Sequence, residues 1–234
     1  MSIHKLVFIS TILIVCNSFV SANDSLPWKK NIVYSLNAGY TINTVYGSMH
    51  DKDQKENYQA GLGEIKMTNK GGISINFRIA RRISDAAYFK TGVSFLYRQV
   101  NPQDNTINVY RDELSTGYLS FPLLAGVKAS PGNGPFGFFL EFGPLFNVRL
   151  FDNSMIGPDR SDFKTHLASV SLCPAGGISC SFPHSTLMLQ YTLVYDVTNA
   201  YTEYLYWTSS EPRKPFSYKY KTHCFSFGFQ WHPF

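Results

Sequence analysis

Apolar and polar residues alternate with a period of two through most of the chain after its first thirty residues. Such alternation places successive side chains on opposite faces of a strand. The runs predict eight strands, near residues 31–43, 71–82, 87–99, 116–128, 135–149, 168–182, 186–197 and 222–234. Few residues support a helix, so the predicted fold class is all-β.

One face of nearly every predicted strand is rich in aromatic and branched apolar side chains. Its members are Tyr34, Leu36, Tyr40, Ile73, Ile75, Phe77, Ile79, Phe89, Val93, Phe95, Tyr97, Leu119, Phe121, Leu123, Val127, Phe136, Phe138, Leu140, Phe142, Phe146, Val170, Leu172, Ile178, Phe182, Leu187, Leu189, Tyr191, Leu193, Tyr195, Phe225, Phe227, Phe229 and Trp231. The opposite face is mostly polar or small and carries charges of both signs. We interpret the apolar face as the side that contacts lipid.

The connections between the predicted strands alternate in length. Residues 83–86, 130–134 and 183–185 form short turns, whereas residues 44–70, 100–115, 152–164 and 198–221 form long loops. Short turns on one rim and long loops on the other are typical of outer-membrane barrels, and an even strand number returns both termini to the periplasm. We therefore predict an eight-stranded antiparallel up-and-down transmembrane β-barrel. A soluble barrel or sandwich with its apolar face turned inward is the alternative, because alternation does not distinguish inside from outside.

The first 22 residues have the organisation of a cleavable export signal. Lys5 precedes an apolar stretch from Leu6 to Val15, and Val20-Ser21-Ala22 forms a small-residue cleavage site. A spanning helix needs about 20 apolar residues, and this stretch has roughly ten. Residues 13–16 resemble a lipobox. A lipobox has a small residue before its cysteine, however, and this chain has Val15 at that position. We predict a signal peptide over residues 1–22, a barrel domain over residues 23–234 and a location in the cell outer membrane.

Composition changes this picture little. Mean hydropathy is −0.13, but only alternate residues of a barrel strand face lipid, so the average is a poor test. The net charge of +5 is scattered along the chain, which argues against a nucleic-acid partner. Three cysteines follow the signal segment, and Cys173 and Cys180 are too far apart in one strand to bond. At least one cysteine should be unpaired.

An eight-stranded barrel is only wide enough for its own side chains to fill. We therefore predict a polar, salt-bridged lumen rather than an open pore. The charged members of this predicted network are Arg78, Lys90, Arg98, Lys128, Glu141, Arg149 and Asp196.

Three segments carry a resemblance to a known family. Residues 118–128 (YLSFPLLAGVK), 138–149 and 190–199 resemble, in order, three strand motifs of the PorT family of Bacteroidota outer-membrane barrels. The chain departs from the first motif at Ser120, where the family has an acid. Because proline cannot donate to a ladder, Pro122 and Pro144 predict bulges or unpaired sites.

The resemblance also implies a role for the end of the chain in recognition by the outer-membrane assembly machinery. The residues assigned to this signal are Phe225, Phe227, Phe229, Trp231 and Phe234. Phe234 is out of phase with the others, so either Pro233 breaks the strand or the signal is imperfect.

Candidate chemistry is sparse. The histidines have no metal-site spacing, and we predict no cofactor, no metal and no catalytic residues. Asp159, Asp162 and His166 share one predicted loop and would be the residues of an outer-membrane enzyme. A second loop holds Tyr201, Tyr204, Tyr206 and Trp207 with nearby basic residues. Two interpretations stay open: an interfacial aromatic girdle, and a surface that contacts glycan or lipopolysaccharide.

The sequence thus predicts a non-enzymatic barrel with a structural or loop-mediated binding role in the envelope. Its expected partners are outer-membrane lipid and lipopolysaccharide, the assembly machinery, and an envelope protein or glycan. An outer-membrane enzyme or an accessory barrel for secretion or transport is the alternative.

Overall fold

The computed structural model describes residues 32–48, 66–84, 86–103, 114–130, 135–152, 161–205 and 216–231. They belong to one compact unit, residues 32–234; the predicted signal peptide lies outside the described residues. The strands are β1 (Ile32–Ser48), β2 (Lys66–Arg82), β3 (Ala87–Gln103), β4 (Leu114–Ala129), β5 (Phe136–Phe142), β6 (Pro144–Asp152), β7 (Ser161–Thr165), β8 (Ala168–Leu172), β9 (Ala175–Ser181), β10 (Ser185–Asp196), β11 (Tyr201–Leu205) and β12 (Phe216–Trp231). No helix in these residues is long and apolar enough to cross a membrane.

These segments combine into eight barrel strands. β5 and β6 continue each other across Gly143 and share one register against β4. β7, β8 and β9 form the sixth barrel strand, and β10 and β11 form the seventh. Each barrel strand is antiparallel to the next, and β12 pairs with β1 to close the ring. The predicted eight-stranded up-and-down barrel is confirmed.

The register fixes the dimensions of the barrel. A path through paired residues starts at Tyr34, passes through Ile79, Thr91, Leu123, Pro144, Leu172, Tyr195 and Lys221, and returns to β1 at Thr44. The return is ten residues further along β1 than the start (34 to 44), which is the shear of the barrel. With ordinary strand spacings, eight strands and this shear give a tilt of about 41° and a backbone radius of about 8 Å. Such a radius leaves room for side chains alone.

The apolar face points outward and the polar face points inward. Phe138, Leu140, Leu189 and Phe227 are each more than half exposed, whereas 24 polar or charged residues in the described part of the chain are buried. This orientation contradicts the soluble alternative, in which the apolar face would form the core. It is the arrangement that a hydrocarbon environment stabilises.

The two rims of the barrel differ. The turn rim contains the short connections after β2, β4 and β9, together with the start of β1 and the end of β12. The loop rim contains the opposite strand ends. β1 has 17 residues, about 42 Å of height at this tilt, compared with an apolar band of about 25 Å. The strands therefore extend beyond the band.

The predicted strand ends at the loop rim are wrong by several residues. β1 continues to Ser48, β2 begins at Lys66, and β12 begins at Phe216. β7 and β11 lie inside segments predicted as loops, and they pair with each other. Outside the apolar band both faces of a strand meet water, so the alternation that marks a strand disappears.

The prolines interrupt hydrogen bonding without shifting the register. Pro122 is opposite Leu145 in a continuous register, but the β3–β4 ladder skips from Thr91 to Ser94 beside it. Pro144 follows the break at Gly143. Of the two predicted possibilities, bulges or unpaired sites, the prolines show unpaired sites. Cys173, Cys180 and Cys224 are all free thiols, so the prediction that at least one cysteine is unpaired is confirmed.

Candidate functional site

The lumen holds two clusters of buried charge. The turn-side cluster is centred on Glu141 of β5, whose carboxylate binds the ammonium of Lys90. Tyr88 Oη donates to Glu141 Oε1 at 2.8 Å, and Gln190 Nε2 donates to Oε2 at 3.3 Å. Arg78 Nη1 lies 3.6 Å from the same Oε2. Two cations share one carboxylate, so the cluster carries one excess positive charge.

The second, loop-side cluster is a two-point ion pair between Arg98 of β3 and Asp196 of β10. Nη1 and Nη2 of Arg98 donate to the two carboxylate oxygens at 2.9 and 3.1 Å, and both side chains are fully buried. Asp196 also accepts from Ser171 Oγ at 2.6 Å and from the Tyr220 backbone at 3.1 Å. Its charge is therefore balanced and its oxygens are well bonded.

Aromatic rings enclose the guanidinium of this pair. The Arg98 Cζ atom lies 5.2 Å from the ring centre of Tyr118 and 4.8 Å from that of Tyr220. Both tyrosines are completely buried. A guanidinium between desolvated rings gains cation–π attraction in addition to its ion pair.

An apolar layer lies between the two clusters on one side of the lumen. Leu124, Leu145, Cys173 and Val194 form this buried group on four neighbouring barrel strands. Along β10 the order of inward residues is Gln190, Thr192, Val194 and Asp196. On the other side, along β3, the buried hydroxyl of Ser94 lies between Lys90 and Arg98, so the layer covers part of the lumen.

The turn-side cluster leaves some of its polar atoms without a protein partner. Arg78 Nε and Nη1 and Asn37 Oδ1 have no hydrogen bond to a described residue. The Asn37 side chain instead donates through Nδ2 to Gln190 Oε1 at 3.3 Å. In the loop-side cluster, Arg98 Nε and Tyr118 Oη likewise have no hydrogen bond to a described residue.

The remaining charged residues predicted for the lumen lie towards its ends. Lys128, near the turn rim, donates from Nζ to Ser181 Oγ at 3.1 Å. Arg149 pairs with Asp152 at 3.2 Å, and both are partly exposed near the loop rim. The seven predicted residues therefore occupy four separate places rather than one network.

The residues considered for catalysis are not brought into a described site. Asp159 lies outside the described residues, and the Asp162 side chain is not described. Asp162 belongs to β7 and is opposite Tyr204, while the His166 backbone donates to Ala200 at 3.0 Å. The described residues contain no group of three or more His, Cys, Asp or Glu that could hold a metal.

The predicted aromatic loop surface is only partly described. Tyr201 and Tyr204 belong to β11, which corrects their assignment to a loop. Tyr206 and Trp207 lie outside the described residues.

The aromatics near the chain end form a girdle at the turn rim. Trp231 stacks on Tyr34 at 5.8 Å between ring centres and on Phe229 at 6.1 Å, and Phe77 lies 6.3 Å away. Phe225 and Phe227 continue the same outward face of β12, whereas Phe234 lies outside the described residues. Interfacial aromatics of this kind anchor a barrel at the lipid headgroups.

Several lumen residues were missed by the sequence analysis. Tyr88, Tyr118 and Tyr220 point inward, as do the apolar residues Leu96 and Leu124. Each is in phase with polar residues of its own strand, as Tyr88 is with Lys90. The period of two alone would have placed them on the inward face. The sequence analysis assigned polar residues to that face and therefore left these aromatic and apolar residues out.

The family model described as "Outer membrane protein beta-barrel domain" matches residues 21–202. The crystal structure of the outer membrane protein OprG from Pseudomonas aeruginosa is similar, with 10% identity and a TM-score of 0.53 over 87% of this chain and 98% of that one. Neisserial surface protein A is 12% identical with a TM-score of 0.42, over 86% of this chain and 97% of that one. At these identities OprG supports the fold alone. A comparison with curated protein sequences finds no match.

Proposed function

Because the chain belongs to the outer membrane protein beta-barrel domain family, we propose that it is a non-enzymatic outer-membrane barrel with a closed lumen, acting through its rims. An outer-membrane location follows from the family. The observation that carries the proposal is the succession of ion cluster, apolar layer and ion cluster across the lumen.

A closed lumen follows from the cost of moving a hydrated ion through this succession. An ion passing Leu124, Leu145, Cys173 and Val194 would lose water on that side of the lumen without gaining a polar partner from them. On one side it would then meet the fully buried pair of Arg98 and Asp196. Opening a path would require separating Arg98 from Asp196. Each would then be a buried charge without its partner, which is unfavourable.

The test is ion conductance of the purified full chain in planar lipid bilayers. We expect no sustained open-channel current. A steady current with the linear voltage dependence of an open pore would refute the closed lumen. The double variant Leu124→Ser and Val194→Ser is the matched perturbation, because it makes the apolar layer polar without touching either ion cluster. A rise in current in this variant alone would support the layer as the barrier.

The binding role is assigned to the segments that join the barrel strands at the loop rim. The strands reach beyond the apolar band on this side, so their described ends at the loop rim lie in water. Basic residues of β12 at this end, Lys219 and Lys221, point outward above Phe225 and lie where lipopolysaccharide phosphates would be. Protease treatment of intact cells should cut the chain at this rim only; cleavage at the turn rim would refute the orientation.

Three finer proposals accompany this function. The first is membership in the PorT-type group, which the motif resemblance supports. The second is signal cleavage after Ala22, which gives a mature barrel of residues 23–234. The third is that the terminal aromatics engage the assembly machinery. Mass measurement of the protein from purified outer membranes tests the cleavage. Replacing Phe229 and Trp231 with alanine tests the assembly role, since poor membrane insertion is expected in cells.

A further inference from the structure

A cavity of about 290 Å³ lies inside the barrel at the turn rim. The entrance of the cavity is lined by residues next to the short turns, including Arg82, Ser84 and Ser130. Its inner end is lined by Tyr88 and Lys90. Because Lys90 is bound to Glu141, the floor of the cavity is the turn-side cluster. The cavity is therefore a dead end, closed towards the loop rim.

Every charged described residue that lines this cavity is basic. Arg82 is exposed at the entrance, Lys128 is half-buried in the wall, and Lys90 is 95% buried at the floor. Beneath the floor, Arg78 adds a further cation beside the single carboxylate of Glu141. Positive charges that converge on a partly desolvated space attract an anion more strongly than the same charges on an open surface.

The neutral groups in the cavity are suited to an oxyanion with a small organic body. Hydrogen-bond donors are available from Ser130 and Gln230, which also line it; the Ser179 hydroxyl lines it too but donates to the Gly137 carbonyl at 3.3 Å. Apolar contact is available from a wall of Val33, Ala80, Ala86, Ala87, Phe139 and Met188. A volume of about 290 Å³ exceeds that of a bare inorganic ion and matches a compact organic molecule.

We propose that this cavity binds a small soluble phosphate monoester, with its phosphate between Arg82 and Lys128. The two side chains bring a charge of +2 that a dianionic monoester neutralises. The phosphodiester of a membrane lipid carries a single negative charge and matches less well. The cavity also lies within the ring of strands, where a lipid headgroup would have to leave the bilayer plane to enter.

The test is calorimetric titration of the refolded full chain, in neutral detergent at low salt, with glycerol 1-phosphate as the probe. We expect saturable binding at one site. The double variant Arg82→Gln and Lys128→Gln should weaken binding by at least about tenfold, the loss expected for charge-assisted hydrogen bonds. Arg81→Gln is the matched control, since Arg81 is adjacent on β2 and equally basic but faces outside the barrel. Its affinity should be unchanged.

Three outcomes would overturn the proposal: no saturable binding to the unaltered protein, equal weakening by Arg81→Gln, or full affinity in the double variant. Tighter binding of glycerophosphoglycerol, the lipid-headgroup diester, would overturn the assignment to a monoester. Both basic side chains lie near the rim, so we expect the double variant to fold, and a boiling-dependent shift in gel mobility checks this. Titration of the unaltered protein decides the question even if that variant fails.

Discussion

Replacement of Asp196 with alanine removes the anion from the loop-side cluster and leaves Arg98 buried with no counter-charge. Asp196 accepts two bonds from Arg98, one from Ser171 and one from the Tyr220 backbone. Both charged side chains have zero exposure. Loss of one partner from a buried pair costs about 3–5 kcal/mol, and we expect the free energy of unfolding to fall by that amount.

The assay is equilibrium urea unfolding in lipid vesicles, followed by tryptophan fluorescence and by gel mobility without boiling. The double variant Arg98→Met and Asp196→Leu replaces both charges with apolar groups and should recover most of the loss, because no uncompensated charge remains. The Asp152→Asn variant is the control for a partly exposed pair, with an expected cost of about 0–1 kcal/mol. The reasoning is refuted if Asp196→Ala costs under about 1 kcal/mol, or if the double variant is no more stable than Asp196→Ala.

Three further substitutions test other parts of the barrel. Glu141→Ala leaves two buried cations without a carboxylate and should cost about 3 kcal/mol in the same urea assay; unchanged stability would contradict the turn-side cluster. Gly92→Ala should prevent refolding to the boiling-sensitive form, because φ is 155° and the added Cβ would lie 2.1 Å from the Phe77 carbonyl oxygen. The Cβ added by Gly176→Ala would lie nearest a Leu140 methyl group, which can move, so this variant should refold. Phe227→Arg places a charge on the lipid face and should cost about 2–4 kcal/mol in vesicles, whereas Phe227→Leu should cost little.

The two faces of each strand could be predicted from sequence within the apolar band. On β10, Leu189 and Tyr191 point outward while Gln190 and Thr192 point inward, as the period of two requires. The choice of which face meets lipid depended on the unequal connections and on the abundance of Phe and Tyr on the apolar faces. The same signal is missing from β7 and β11, whose sequences do not alternate between apolar and polar residues.

The ion pairs of the lumen could be listed as charges but not assigned as partners. Arg98 and Asp196 are 98 residues apart, on β3 and β10, which are not neighbours in the ring. Their meeting depends on the shear of the barrel, because a change of register moves each residue along the axis. The shear is the sum of the registers of all the strand pairs. A single sequence does not predict each register to within one residue.

The apolar layer has a consequence for where this barrel can act. It lies between a turn-side cluster with one excess positive charge and a loop-side pair that is neutral. The layer holds no polar side chain other than the thiol of Cys173, and among the described residues the hydrogen bonds of Glu141 and those of Asp196 share no residue. An anion bound at the turn rim would then leave the geometry of Asp196 and the strand ends beyond it unchanged. Recognition at the two rims should therefore be independent, and substitution of Arg82 and Lys128 should leave any activity of the loop rim intact.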